Sequence, residues 1–241
     1  MSPDAILRID ALTKLFFGFR ALDGLSLHVS RGEILGLVGP NGSGKTTCIN
    51  VVSGLYAPEA GSVVFDGVEV AGLAAHKLVH RGINRTFQVP KPFLHLTARE
   101  NVEVAIAYGR NPQGDVDAGA LLASLNLDAL ASRPAAELNS AQQKMLDLAR
   151  ALATGPKLLL VDELAAGLNP AELDWVAAKL KDFARAGMSI IVVEHLMGFI
   201  EQVTDRVVVM NAGHEIFGGT LAEAVQDKKV VEVFLGGGHA G

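Results

Sequence analysis

Short apolar runs punctuated by turn residues recur along the chain: "ILRID" at 6–10, "LSLHV" at 25–29, "EILGLV" at 33–38, "SVVFD" at 62–66, "KLLLVDE" at 157–163, "MSIIVVE" at 188–194, "DRVVVM" at 205–210 and "HEIFGG" at 214–219. Each is rich in aliphatic or β-branched side chains, which predicts strands. "KLLLVDE" and "SIIVVEH" lack the in-out alternation of a half-solvated strand, so they read as parallel strands covered by helices on both faces. Helical spacing lies between the runs. After "LNP", Asn169 can cap and Pro170 suits a first turn. Leu173, Val176, Ala177, Leu180 and Ala184 then form an apolar stripe that a helix can lay on a sheet. A second helix follows Ser140, with Met145, Leu148, Ala149 and Leu152 on one face. From about Lys91 to Thr154 the strand pattern stops and helical stretches dominate, which predicts a helical lobe inserted into an α/β core. The tail "GGGHAG" at 236–241 reads as loose.

Length and composition narrow the picture. The chain has 241 residues and is 49% hydrophobic, enough for one domain with a side lobe. Its net charge of −5 comes from 26 acidic against 21 basic residues. That leaves no broad positive field for gripping nucleic acid or anionic lipid. The single cysteine, Cys48, forms neither an intrachain disulfide nor a multi-cysteine zinc site, which points to a reducing compartment, the cytoplasm. The first residues show no basic segment followed by an apolar stretch, and no run approaches the ~18 apolar residues of a membrane span. A soluble chain that docks on other subunits is expected.

The candidate chemistry begins with "GPNGSGKTT", Gly39 to Thr47. Gly39, Gly44, Lys45 and Thr46 fit G-x-x-x-x-G-K-[ST] between an apolar strand and a helix, the context in which this pattern cradles nucleotide phosphates. The glycines let backbone N–H groups wrap the phosphates, and the helix N-terminus adds its positive end. Lys45 is placed to reach the outer phosphates and Thr46 to ligate magnesium. Hydrolysis further needs a magnesium partner and a group that orients water. "LLLVDE" ends a buried strand with Asp162 and Glu163, one carboxylate for the metal and the next for the water. "SIIVVEH" ends likewise with Glu194 and His195 at the sheet edge where ligands collect, a position suited to sensing the γ-phosphate. A structural role for His195 is the plainer alternative.

The order of these motifs resembles that of the ATP-binding subunits of ABC transporters over nearly the whole chain: "GPNGSGKTT", "RTFQ" at 85–88, "LNSAQQKMLDLARAL" at 138–152, "LLLVDE", "AAGLNP" at 165–170 and "VVEH". The resemblance implies a P-loop NTPase core with a mainly parallel sheet, an N-terminal antiparallel β part and an inserted helical subdomain. One ABC ATPase domain would then span 1–241, with its core in 1–90 and 155–241 and its helical subdomain in about 91–154. ATP and Mg2+ are the implied ligands, held by Gly39, Pro40, Asn41, Gly42, Ser43, Gly44, Lys45, Thr46 and Thr47. By the same resemblance Phe16 stacks on adenine, with Phe17 second and core packing an open alternative. Gln88 contacts magnesium and the attacking water, Asp162 holds magnesium through water, Glu163 is the general base and His195 contacts the γ-phosphate. Asn139, Ser140, Ala141 and Gln142 would face ATP on a second ABC ATPase protomer. Transmembrane permease subunits are the other implied partner, and "VPKPFLHLT" at 89–97, with Phe93, is either their docking surface or a packed surface loop. "RTFQ", "AAGLNP" and the ending "VVEVFLGG" look like the ATPases of importers for branched-chain amino acids, urea or short amides.

Three positions depart from the family pattern. The signature L-S-G-G-Q reads "LNSAQ" here, with Asn139 for serine and Ala141 for glycine. Ala141 adds a Cβ where close backbone approach is wanted, while Asn139 still offers a hydrogen-bond donor. Leu164 stands where the family usually has proline, which alters a loop without removing a catalytic group. A regulatory subunit with impaired hydrolysis and a non-transport ABC ATPase therefore stay open. A GTPase does not fit, because the guanine-reading N-K-x-D pattern is missing.

Overall fold

The computed structural model describes residues 4–110 and 116–236; the tail expected to be loose lies outside them from 237 onward. The strands are β1 (Ala5–Phe16), β2 (Phe19–Ser30), β3 (Ile34–Val38), β4 (Ala60–Phe65), β5 (Val68–Glu69), β6 (Ile83–Arg85), β7 (Leu158–Asp162), β8 (Ser189–Val193), β9 (Arg206–Asn211) and β10 (His214–Gly219). They form a six-stranded sheet in the order β10-β9-β3-β8-β7-β6 and a four-stranded sheet in the order β2-β1-β4-β5. In the larger sheet β9, β3, β8, β7 and β6 run parallel and β10 pairs antiparallel with β9. The smaller sheet is antiparallel throughout.

The uninterrupted apolar runs have a direct cause. Successive strand residues point to opposite faces, and both faces of the parallel sheet are covered. Leu159, Val161, Val192 and Val209 enter a core shared with helices. Leu158, Leu160, Ile191 and Val208 enter a second core shared with β1, β2 and β4. All five residues of β7 and of β8 are buried as a result.

The helices are α1 (Lys45–Val52), α2 (Ala75–Arg81), α3 (Ala98–Ala107), α4 (Ala118–Ser124), α5 (Ser140–Ala153), α6 (Pro170–Arg185), α7 (Met197–Val203), α8 (Leu221–Ala224) and α9 (Lys228–Gly236). Asn139 caps α5 and Asn169 caps α6, each in a reciprocal capping box, and Pro170 opens α6. The expected α5 face of Met145, Leu148, Ala149 and Leu152 is buried. So are Val176, Ala177, Leu180 and Ala184 of α6, with Leu173 packed partly buried beside them. Among the described residues, α3, α4, two 3-10 turns and α5 are the only named elements between β6 and β7. No helix of the described residues is long and apolar enough to cross a membrane.

This topology positions the site. The phosphate loop leaves the C-terminal end of β3, Asp162 and Glu163 the end of β7, Glu194 and His195 the end of β8, and Thr86–Gln88 the end of β6. Because these strands are parallel, all four segments emerge at one sheet edge.

Candidate nucleotide site

The phosphate loop is shaped by what surrounds it. Gly39 (φ 148) and Gly44 (φ 104) both lie in the left-handed region. A Cβ on Gly39 would strike the Met210 carbonyl, and one on Gly44 would lie 2.5 Å from the Ala21 carbonyl oxygen. Glycine is thus enforced at both ends by close backbone neighbours. Gly44 is also the N-cap of α1 and, among the described residues, no side chain caps that helix. Its first amides stay available, the condition under which a helix N-terminus takes phosphate. Lys45 is buried and folds over the loop, its Nζ donating to the carbonyls of Gly39 at 2.8 Å and Pro40 at 2.9 Å. Burial lowers its pKa, while Glu163 and Asp162 act in the opposite sense. Thr46 is exposed and Thr47 half-buried. Asn41, Gly42, Ser43, Gly44, Lys45, Thr46 and Thr47 line a cavity of about 340 Å³ together with Phe19, Ala21, Glu163 and His195.

The carboxylates divide their tasks by environment. Asp162 is buried, and its Oδ2 accepts from Arg85 Nη2 at 3.0 Å. Arg85 Nη1 also reaches Asn50 Oδ1 of α1 at 2.5 Å, so one guanidinium ties β6, β7 and the phosphate-loop helix together. Burial raises the Asp162 pKa and Arg85 is the chief influence against it. Asp162 Oδ1 is buried with no partner among the described residues. A divalent cation fits this donor set, since magnesium on a nucleotide takes one or two carboxylates and fills its shell with phosphate and water. Glu163 sits half-buried at the cavity mouth, accepting from Gln88 Nε2 at 2.6 Å and lying 3.1 Å from His195 Nε2. The geometry therefore gathers Gln88, Glu163 and His195 around one carboxylate.

Other expected site residues lie elsewhere. Phe16 packs edge-on against Tyr56, with ring centroids 5.1 Å apart. Phe17 is fully exposed. Of this aromatic cluster it is Phe19, which the sequence reading passed over, that lines the phosphate-loop cavity. Asn139 Oδ1 accepts from the Gln142 amide at 2.9 Å, and Gln142 Oε1 accepts from the Asn139 amide at 3.0 Å. Asn139, Ala141 and Gln142 line a different cavity, between α5 and α6; Ser140 is exposed beside them. Leu164 is buried in the helix-side core. Phe93 is half exposed under the Arg150 guanidinium, 5.1 Å from its ring centroid.

Sequence reading also missed Arg85, Lys144 and Asp147. Lys144 and Asp147 are buried in the middle of α5; Asp147 Oδ2 accepts from the Phe87 amide at 2.8 Å, just before Gln88. Their signal was available as charged residues inside an otherwise apolar helical stretch, a placement that demands a buried partner.

Fold and site together define a P-loop nucleoside triphosphatase. The family model described as "ABC transporter" matches residues 22–166. The chain is 34% identical to the high-affinity branched-chain amino acid transport ATP-binding protein BraF of Pseudomonas aeruginosa, covering 96% of this chain and 98% of that one. It is 36% identical to the probable branched-chain amino acid transport ATP-binding protein LivG of Archaeoglobus fulgidus, covering 96% and 95%. Among solved structures it matches a nucleotide-free ATP-binding cassette from an ABC transporter with a TM-score of 0.87 at 30% identity, covering 95% of this chain and 98% of that one. It also matches the dimeric post-hydrolysis state of the cassette MJ0796 bound to ADP and Pi, with a TM-score of 0.79 at 25% identity over 89% and 98%. The chain belongs to the ABC transporter family of ATP-binding proteins, ATPases that energise transport.

Proposed function

We propose that this chain powers import of branched-chain amino acids, or of related small amide solutes, by hydrolysing ATP at a site centred on Glu163. The carrying observation is the placement of the Glu163 carboxylate between Gln88 and His195 at the mouth of the phosphate-loop cavity. In this reading the amides of Gly42 to Thr46 and the Lys45 ammonium bind the β- and γ-phosphates, and Lys45 exchanges its loop carbonyls for phosphate oxygens. Thr46, Gln88 and Asp162 would hold a magnesium ion, which supplies charge neutralisation at the phosphates. Glu163 takes the proton from the attacking water, Gln88 orients that water and His195 contacts the γ-phosphate.

The signature residues Asn139–Gln142 lie apart from this cavity, so they serve ATP on a second cassette protomer. With Asn139 Oδ1 held by the Gln142 amide, its Nδ2 is left to face that nucleotide. The helical segment 91–154 acts as a subdomain beside the core, and residues 89–97 meet permease subunits on the cytoplasmic face of the membrane. Support for the substrate class comes from the names of the relatives above. The test is uptake into vesicles carrying the assembled transporter: ATP-dependent accumulation of labelled leucine is expected, and accumulation of urea or acetamide without leucine would move the assignment to the amide solutes. The altered signature favours one second reading, a subunit that binds ATP but hydrolyses it slowly. A pure chain that binds ATP and is stimulated little by its partners would support it.

A further inference from the structure

The loop Glu163–Ala166 carries the carboxylate to which hydrolysis is assigned, and its conformation is unusual. Glu163 has φ 50, in the left-handed region where a residue with a Cβ rarely rests unless its surroundings hold it there. Two buried charged side chains reach this loop from different elements. Lys144 of α5 is 7% exposed, and its ammonium donates to the carbonyls of Glu163 at 2.9 Å, Leu164 at 3.3 Å and Ala166 at 2.6 Å. Glu194, at the end of β8, is 2% exposed, and its Oε1 accepts the Ala165 amide at 2.6 Å. One group takes the loop's carbonyls and the other takes an amide between them. Burial lowers the Lys144 pKa, with Glu194 and Glu163 opposing, and pushes the Glu194 carboxyl up to about 7. Isolated buried charges are costly, and these two persist where each is hydrogen-bonded to the same stretch of main chain.

We propose that Lys144 and Glu194 are positioning residues for ATP hydrolysis, fixing the backbone of residues 163–166 so that the Glu163 carboxylate stays between Gln88 and His195. The proposal rests on the catalytic reading of Glu163 given above. Lys144 also stands two residues beyond the signature segment, on the same helix, α5. The loop that aims the base is therefore tied to the segment presented to the opposite protomer. A shift of α5 on nucleotide-driven pairing would be felt directly at Glu163.

The test is steady-state hydrolysis and nucleotide binding by the full chain. Lys144→Met keeps the buried stem and removes the donors, and a displaced base lowers kcat by about 10- to 100-fold with KM for ATP within about twofold. Lys144→Arg, which keeps charge and donors, should recover much of that loss. Glu194→Gln keeps an acceptor for the Ala165 amide and should stay near wild type, whereas Glu194→Ala should fall as Lys144→Met does. Since both act on one loop, the Lys144→Met/Glu194→Ala double variant should lose less than the product of the single losses. Wild-type kcat in Lys144→Met would overturn the proposal. So would parallel loss of kcat and ATP affinity with no recovery in Lys144→Arg, the mark of a purely structural lysine. A wild-type chain that binds ATP without turnover would instead overturn the catalytic reading, and this proposal with it.

Discussion

Replacing Arg85 with methionine should destabilise the chain by about 3–5 kcal/mol, the usual cost of removing one partner from a buried ion pair. The side chains of Arg85 and Asp162 are 7% and 2% exposed, so little water is at hand to replace the lost donor. Asp162 Oδ1 is already without a partner among the described residues, and Oδ2 would lose the 3.0 Å bond from Arg85, leaving a buried carboxylate with neither oxygen paired among them. Methionine is unbranched and pliable, so packing loss is the smaller part. At ~2–4 °C per kcal/mol for a chain of this size, the melting midpoint should drop by roughly 6–20 °C. The deficit should also depend on pH. Burial already raises the Asp162 pKa, with Arg85 the largest opposing influence, so the variant raises it further. A carboxyl whose folded pKa exceeds its unfolded value stabilises most below the unfolded value, and that contribution is lost as pH rises through the folded pKa. The deficit should therefore be smaller near pH 5 than near pH 8, because protonation of Asp162 removes the unpaired buried charge. Asp147 also faces Arg85 and shifts in the same sense, but it keeps Arg150 and the Phe87 amide. Urea unfolding followed by Trp175 fluorescence at both pH values measures this directly. A loss below about 1 kcal/mol, or one equal at the two pH values, would refute the reasoning, since an exposed pair is worth no more than that.

Restoring the signature by Asn139→Ser and Ala141→Gly together should raise ATP turnover of the chain alone, up to about 100-fold if the aim of the amide donors is what limits it. Robust wild-type turnover with no change in the double variant would mean that the loop tolerates these residues. If this chain pairs with a cassette of normal signature, the site on its own Lys45 should turn over faster than the site its Asn139 and Ala141 close. Phe93→Asp should weaken co-purification with the membrane subunits while leaving ATP affinity unchanged, because Arg150, now stacked on the ring, can pair with the new carboxylate and keep the loop in place. Unchanged assembly would favour an ordinary packed surface loop.

The strands that cross the core were legible because both faces of the parallel sheet are buried, which writes nearly unbroken apolar runs into β3, β7, β8 and β9. β6 escaped notice because it is three residues, "INR", whose arginine is an internal ion-pair partner rather than a packing group. β5, two exposed residues on a sheet edge, left no periodic trace. The phosphate loop and the ends of β7 and β8 could be read as a site because parallel strands deliver their C-terminal ends to one edge. What supports that site could not be read so easily. Arg85, Lys144, Asp147 and Glu194 act through partners 19 to 77 positions away in sequence, and no local spacing rule reports such pairings. The aromatic cluster shows the same limit, since Phe16, Phe17 and Phe19 are nearly neighbours and only the hairpin geometry separates the one that faces the cavity.

Glu163 is the group proposed to activate water. The most direct measurement is phosphate release by Glu163→Gln in the assembled transporter, with ATP affinity measured on the same preparation. Glutamine still offers an oxygen to Gln88 Nε2, and Lys45 with its loop is untouched, so binding should be preserved. Hydrolysis should fall by ~100-fold or more, the range expected when a positioned base is lost. Wild-type turnover in that variant would contradict the assignment.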